Sequence, residues 1–210
     1  MNSENIKNLI NSFTEDDFKN CVNLHIHSTC SDGKCQFSDV IKQAKELNYK
    51  KISICDHNTI DGYLSNNDDI LLTGVEFDCW YGYVFFHLLA YGIDVASDEL
   101  KPFLAKHKYE TEWDIIRIFA KRDIKKLITA IHNAGGIAVL AHPACCWALN
   151  LERFVKKLIS FGLDGIEVYY PYKRHRKIIK FHNETKIINI ANKFNLIKTG
   201  GTDCHNASIS

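Results

Sequence analysis

Residues 22–27 read VNLHIH, and they combine a predicted strand with two candidate metal ligands. An apolar, β-branched run of this length is typical of a strand. Side chains at i and i+2 of a strand point to the same face, so His25 and His27 can hold one metal ion together. Taken alone, such a pair is more typical of two surface histidines, and the remaining sequence has to decide between the two interpretations.

Polar, metal-ligating side chains recur where other apolar runs end. Asp203 and His205 repeat the i, i+2 spacing near the end of the chain, and Pro143 ends a run directly after His142. A histidine among phenylalanines, as His87 is, would by itself be typical of a protein core. The candidates outside the first strand are Asp32, Asp56, His57, Glu76, His87, His142, Asp203 and His205. Their joint occurrence predicts a multinuclear metal site, which is typical of hydrolases.

Apolar runs and helix-period segments alternate along the chain. Strands are predicted at residues 22–27, 51–55, 71–77, 83–93, 137–141, 164–170 and 196–199, and helices at 4–20, 38–47, 97–135, 151–161 and 175–194. Such alternation indicates an α/β fold with a parallel sheet. Ligand candidates at nearly every strand end, and the lack of a glycine-rich turn after the first strand, favour a closed barrel over an open sheet. We expect one domain over residues 1–210, with an N-terminal helix within 1–20 and a short helical segment at 97–135.

Composition and charge narrow the classes of function. The chain has 210 residues, of which 46% are hydrophobic and 24% charged, as in ordinary soluble globular proteins. A net charge of +1 gives no overall attraction to nucleic acid or to a membrane. The polar start and the lack of an apolar run near the ~20 residues of a membrane span predict a cytoplasmic location. The irregularly spaced cysteines then indicate reduced thiols.

Five segments together resemble a known family. They are residues 23–33 (NLHIHSTCSDG), 54–59 (ICDHNT), 74–77 (GVEF), 139–143 (VLAHP) and 199–205 (TGGTDCH). In this order they are similar to the motifs of the PHP domain (polymerase and histidinol phosphatase), and most closely to its stand-alone, bacterial-type phosphoesterases. The resemblance extends over almost the whole chain from residue 22 onward.

This resemblance implies a distorted seven-stranded (β/α)7 TIM-like barrel that holds two or three divalent ions. Carried over motif by motif, it assigns one ion to His25, His27, Glu76 and Asp203, a second to Glu76, His87 and His142, and a third to Asp32, His57 and His205. The four ligands of the first ion are also the residues that we expect to be catalytic. Ligands of nitrogen and oxygen suit Mn, Fe or Zn. The implied reaction is hydrolysis of a phosphoester by metal-activated water.

Substrate recognition is expected from basic side chains near the site. Arg174, His175 and Arg176 follow the sixth predicted strand, and Arg122 lies in the segment between strands four and five. Arginine binds phosphate oxygens in a two-pronged geometry, although a solvated helix start explains the first cluster equally well. The expected substrate is a phosphomonoester, a nucleotide or a short oligonucleotide. No membrane partner is expected, and the oligomeric state is left open.

The sequence leaves two other functions open. Metal-dependent amidohydrolases also begin with an HxH pair and end with an aspartate, but they typically place a lysine on the fourth strand, where this chain has His87. A PHP domain could also serve as a metal-stabilised, non-catalytic module. Turnover distinguishes that module from an enzyme, because Asp203→Asn would abolish activity in the enzyme and only lower stability in the module.

Overall fold

The fold is described from a computed structural model that covers residues 2–172 and 182–209. The strands in these ranges are β1 (Val22–Ile26), β2 (Lys51–Ile54), β3 (Gly74–Tyr81), β4 (Val84–Tyr91), β5 (Ile137–Leu140), β6 (Gly165–Tyr169) and β7 (Ile197–Gly200). The helices are α1 (Ser3–Asn11), α2 (Glu15–Asn20), α3 (Phe37–Glu46), α4 (Asp61–Leu64), α5 (Tyr109–Glu112), α6 (Asp114–Arg117), α7 (Ile124–Asn133), α8 (Leu151–Ile159) and α9 (Glu184–Lys193). Short 3₁₀ helices cover Asp98–Phe103 and Pro143–Cys145.

The strands form two sheets. β1 and β2 pair in parallel, and the other five form a mixed sheet in the order β3-β4-β5-β6-β7. In the larger sheet β4 is antiparallel to both of its neighbours, whereas β5, β6 and β7 are parallel. Isolated bridges link the two sheets, from Ile26 to Cys204 on one side and from Ile52 to Leu71 and His57 to Glu76 on the other.

The predicted closed (β/α)7 barrel is wrong. Only isolated bridges join the two sheets in the described part of the chain, so no continuous ladder closes a ring. Furthermore, β3 and β4 form a hairpin whose turn contains Gly82 in the left-handed conformation (φ +60°). A connection of two residues can join only antiparallel strands, so β4 runs against the direction that a barrel of parallel strands needs.

Helices cover both faces of the larger sheet. Apolar side chains of α7, α8 and α9 form one large core with that sheet, and α3 covers the β1–β2 pair. The predicted N-terminal helix is divided in two, because Thr14 caps a new helix by accepting a hydrogen bond from the backbone N–H of Asp17. Ile6 and Ile10 of α1 are fully buried among residues of the larger sheet. None of the described helices has both the length and the apolar character to span a membrane.

Candidate metal centre

The two histidines of the first strand lie at the centre of a buried polar cluster. His25 and His27 are fully buried, and the Nε2 atom of each lies 3.2 Å from Oε2 of Glu76. Asp203, which follows β7, places Oδ1 3.1 Å from His27 Nε2 and 3.6 Å from His25 Nε2. Gly201 allows this approach, because a Cβ atom at that position would lie 2.4 Å from the Cβ of His25. Residues of β1, of β3 and of the segment after β7 therefore meet at one point.

Glu76 on β3 joins two groups of imidazoles. Its Oε1 lies 3.0 Å from His87 Nδ1 and 3.2 Å from His142 Nε2. Its Oε2 faces His25 and His27 and lies 3.4 Å from His57 Nε2. Each carboxylate oxygen thus serves its own set of nitrogen atoms, which is the arrangement of a bridging ligand.

A third group forms around Asp32, in the loop after β1. Its Oδ1 lies 3.2 Å from Nε2 of His205, and its Oδ2 lies 3.9 Å from Nε2 of His57. His27 faces this group with its second nitrogen, because His27 Nδ1 lies 3.7 Å from Asp32 Oδ1. The ring of His27 therefore lies between the first and third groups.

The structure brings all nine sequence-predicted metal ligands together. Groups whose ligand atoms lie within 4.8 Å of one another are His25–His27–Glu76–Asp203, Glu76–His87–His142, His27–Asp32–His57–His205 and His57–Asp78–His87. The first three contain the three sets that the family resemblance implies. The fourth contains Asp78, which the sequence analysis did not select. That these residues bind ions stays a prediction, since proximity alone does not test it.

Several of these atoms are buried without a hydrogen bond. Nε2 of His25, both ring nitrogens of His27 and Oε2 of Glu76 have no hydrogen-bond partner in the described part of the chain. The Nε2 atoms of His25 and His27 lie only 3.2 Å from Oε2 of Glu76, yet none of these contacts is a hydrogen bond. Unpartnered buried polar atoms destabilise a fold. Cations bound among them would remove that cost, and the nitrogen and oxygen donors fit such ions.

The electrostatics of the site also favour cations. Burial alone would raise the pKa of the Glu76 carboxyl, but the charges of His25, His87 and His57 hold it well below its usual value. The pKa of Asp203 is likewise lowered against the effect of burial, mainly by His25 and His27. The positive charge that keeps both carboxylates ionised thus comes from neighbouring imidazoles, and divalent ions bound there would take over that role.

Unusual backbone conformations hold the ligands in place. His142 and Asp203 adopt positive φ angles of 25° and 50°, a region that residues other than glycine rarely occupy. The N–H of His142 donates to Oε2 of Glu167 at 2.7 Å, and the N–H of Asp203 donates to the carbonyl oxygen of His25 at 2.7 Å. Such conformations persist where surrounding contacts enforce them, and they cluster at functional sites.

Sequence reasoning missed the residues that support the ligands. Asp78 could have been found, because it lies two residues after Glu76 on β3 and so shares its face. Glu167 lies within the apolar strand β6 and is fully buried, a combination that signals a paired carboxylate. Arg117 donates to Oδ2 of Asp32 at 2.8 Å, and no pattern in the sequence places it there. Asp56, a predicted candidate, instead accepts hydrogen bonds from Ser28 and Ser31 and shapes the first loop.

The predicted substrate-binding residues remain less defined. Arg174, His175 and Arg176 lie outside the described residues. The guanidinium of Arg122 donates to the carbonyl oxygens of Asp78 and Phe103, at distances of 2.7 to 3.1 Å. These bonds fix the backbone of β3 beside the site. A role of Arg122 in binding substrate stays a prediction.

Fold and site together define an α/β protein with a largely buried cluster of histidines and carboxylates that could hold metal ions. A model of the PHP domain matches residues 23–193. The chain therefore belongs to the PHP family of metal-dependent phosphoesterases, as its motifs predict.

Individual relatives are more distant. In an alignment of 253 positions, the chain is 21% identical to a phosphoribosyl 1,2-cyclic phosphate 1,2-diphosphodiesterase of Eggerthella lenta. The alignment covers 87% of this chain and 93% of the relative. It is 26% identical over 161 residues to the 5′-3′ exoribonuclease Rnm of Salmonella typhimurium, covering 68% of this chain and 55% of the relative. An amidohydrolase structure from Chromobacterium violaceum, with sulfate and no metal, has a TM-score of 0.68 at 18% identity, covering 88% of this chain and 87% of that one. At that identity the likeness shows the fold alone.

Proposed function

We propose that this protein is a metal-dependent phosphoesterase that hydrolyses a phosphomonoester, a nucleotide or a short oligonucleotide with the help of two or three divalent ions. The family supplies the general activity, and the substrate class is our proposal. Both curated relatives described above bear names of enzymes that cleave phosphoester bonds. Their different substrates leave a small phosphorylated metabolite and a short nucleic acid as the two classes to test.

The position of Glu76 carries the proposal. Its two oxygens face separate groups of imidazoles, at 3.0 and 3.2 Å on one side and 3.2 to 3.4 Å on the other. A carboxylate buried in this way would hold two cations a short distance apart. Closely spaced divalent ions, when bound, lower the pKa of water and neutralise charge on phosphate oxygens.

The residues of the chain have distinct tasks in this proposal. His25, His27, Glu76 and Asp203 would hold the first ion and are the proposed catalytic set. His87 and His142 would complete the second position with Glu76, and Asp32, His57 and His205 would form the third. The hydroxyl of Tyr170 donates to Oδ2 of Asp203 at 2.8 Å and so leaves Oδ1 facing His27.

The surroundings of the cluster determine which parts face the substrate. His25, His27 and Glu76 are fully buried, whereas the side chains of His205 and His87 are 35% and 19% exposed. Solvent and substrate therefore reach the cluster from the side of His205 and His87. The buried histidines would hold their ions on the side of the cluster that lies away from water, where electrostatic interactions are stronger.

Phosphate release tests this proposal. Metal-free protein is loaded with Mn²⁺ and offered phosphomonoesters, nucleotides and short oligonucleotides, with a chelated sample as the blank. We expect metal-dependent release from one class and none after Asp203→Asn. Asp98→Asn, which changes an exposed aspartate that pairs with Lys101, serves as the matched control and should keep full activity. No release from any substrate by protein that has bound Mn²⁺ would contradict the proposal.

A further inference from the structure

Asp78 is a buried carboxylate that the proposed ion positions do not use. It lies two residues after Glu76 on β3, on the same face of the strand. Its side chain is fully buried, and its Oδ1 has no hydrogen-bond partner in the parts of the chain that are described. Asn58 donates to the other oxygen, Oδ2. The free oxygen therefore needs a partner that suits a negative charge.

Two imidazoles face this oxygen. Asp78 Oδ1 lies 3.2 Å from Nε2 of His87 and 3.4 Å from Nδ1 of His57. The opposite nitrogens of the same rings face Glu76, at 3.0 Å for His87 and 3.4 Å for His57. Each ring thus lies between two carboxylates, with one nitrogen directed at the proposed ions and the other at Asp78.

A further ion in the His57–Asp78–His87 group is disfavoured by Arg117. Its guanidinium is almost fully buried, and its Nε lies 3.9 Å from Asp78 Oδ1. A divalent cation bound to that same oxygen would be repelled by a guanidinium so close in a buried place. At Asp32, by contrast, Arg117 binds Oδ2, and the other oxygen, Oδ1, faces His205. When their other nitrogens bind metal, the neutral rings of His57 and His87 would each donate an N–H to Asp78 Oδ1 without added charge. A carboxylate that accepts from the far nitrogen of a metal-bound histidine fixes its tautomer and orientation.

We infer that Asp78 is a positioning residue that couples two ion positions. Through one oxygen it orients His87, a ligand of the second proposed ion, and His57, a ligand of the third. This inference rests on the proposed function, because it assumes that these histidines bind metal. Its consequence is that one substitution outside the ligand set weakens two ions together and spares the first.

Glu167 provides a matched control on the other side of the centre. Its Oε1 lies 3.0 Å from Nδ1 of His25, and its Oε2 accepts from the N–H of His142. It therefore supports candidate ligands of the first and second ions, and among the described residues it makes no hydrogen bond or ion pair with His57. A substitution there should weaken a different pair of ions.

Ion occupancy at each position tests the inference without relying on turnover. Crystals of wild type, Asp78→Asn and Glu167→Gln are equilibrated with limiting Mn²⁺, and anomalous scattering gives the occupancy of each position. Titration calorimetry of the same proteins in solution gives the affinities, and urea unfolding of the metal-free proteins shows whether they are folded. Asp78→Glu, which keeps the charge and displaces the carboxylate, is the second variant if Asp78→Asn does not fold.

We expect Asp78→Asn to lower affinity about 10- to 100-fold at the second and third positions and to leave the first unchanged. Glu167→Gln should lower the first and second and leave the third unchanged. Equal weakening of every position by Asp78→Asn, or no change at any, would overturn the inference and leave the proposed function intact. A wild-type protein that binds no ion would overturn the proposed function and the inference with it.

Discussion

The metal centre and the region around α1 solve opposite problems in the same molecule. Around α1, apolar side chains such as Ile6 and Ile10 are fully buried, and the ion pair from Lys7 to Asp164 measures 2.8 Å. At the metal centre, buried polar atoms lack hydrogen bonds, and two ligand residues have positive φ angles. The first region stabilises the fold, whereas we propose that the second binds divalent cations.

This difference teaches where stability and function can be separated. Substitutions around α1 should lower stability and leave the chemistry unchanged. Substitutions in the centre should lower activity and ion binding, and where they leave a buried partner unpaired they should lower stability as well.

Glu76→Gln should have the largest effect. It removes the negative charge that two ion positions share, and the loss of several kcal/mol of transition-state stabilisation corresponds to about 10³-fold in turnover. The metal-free variant should also lose stability, because the imidazoles that hold the pKa of Glu76 low would lose their negatively charged partner. Phosphate release and urea unfolding measure the two effects. A large loss of stability together with unchanged turnover would contradict the comparison.

Ile6→Ala should lower the stability of the fold and leave turnover unchanged. Ile6 is fully buried and packs against Gly92, so truncating it leaves a cavity that costs about 2 to 5 kcal/mol. The folded variant should retain wild-type turnover, since Ile6 belongs to the apolar cluster around α1. Denaturant unfolding and steady-state rates below the unfolding transition check both statements. A matched fall in turnover per folded molecule would show that the two regions are not independent.

Divalent ions should stabilise wild type. At a free Mn²⁺ concentration 100 times its dissociation constant, one ion that binds only the folded state adds about 2.7 kcal/mol to the free energy of unfolding. A chelator should remove this gain completely. Glu76→Gln should show a much smaller gain, while Ile6→Ala should show the full gain. Equal stabilisation of all three proteins would place the bound ions elsewhere.

Asp164→Asn should have a smaller effect that depends on pH. The pKa of Asp164 is lowered despite partial burial, through bonds from His132 and Lys7. Because the unfolded chain takes up this proton first as the pH falls, the stability is present at neutral pH and is lost on acidification. We expect a cost of about 1 to 2 kcal/mol at pH 7, after allowance for solvent.

Urea unfolding of wild type and Asp164→Asn at pH 7 and pH 3 measures this cost. The difference between the two proteins should shrink at the lower pH. The exposed variant Asp98→Asn should stay within about 0.5 kcal/mol of wild type throughout. A cost that is the same at both pH values would show that the ion pairs of Asp164 do not contribute.

The positions of the strands along the sequence could be predicted, but the way in which the strands pair could not. Apolar runs located each strand, because burial imposes its pattern on neighbouring residues. The alternation of strands and helices favoured a barrel of parallel strands and did not reveal the hairpin at Gly82. Strand direction and pairing depend on contacts between distant residues, such as the bridge from Ile26 to Cys204, which no local pattern contains.

The residues of the cluster could be located from the sequence, because the residue types that can bind metals are few and occur here at strand ends. The supporting residues differ in this respect. Asp78 shares its face of β3 with Glu76 and was within reach of the same i, i+2 argument. Arg117 was not, because it lies in a segment of one-turn helices whose course depends on tertiary contacts such as its bond to Asp32.

The central claim is that Glu76 joins at least two ion positions. Equilibrium dialysis of wild type and Glu76→Gln against Mn²⁺, followed by counting of the ions bound per chain, tests this claim most directly. We predict more than one ion per wild-type chain and a loss of binding at more than one position in Glu76→Gln. A wild-type chain that binds a single ion or none, or a Glu76→Gln chain that binds as many ions as wild type, would contradict it.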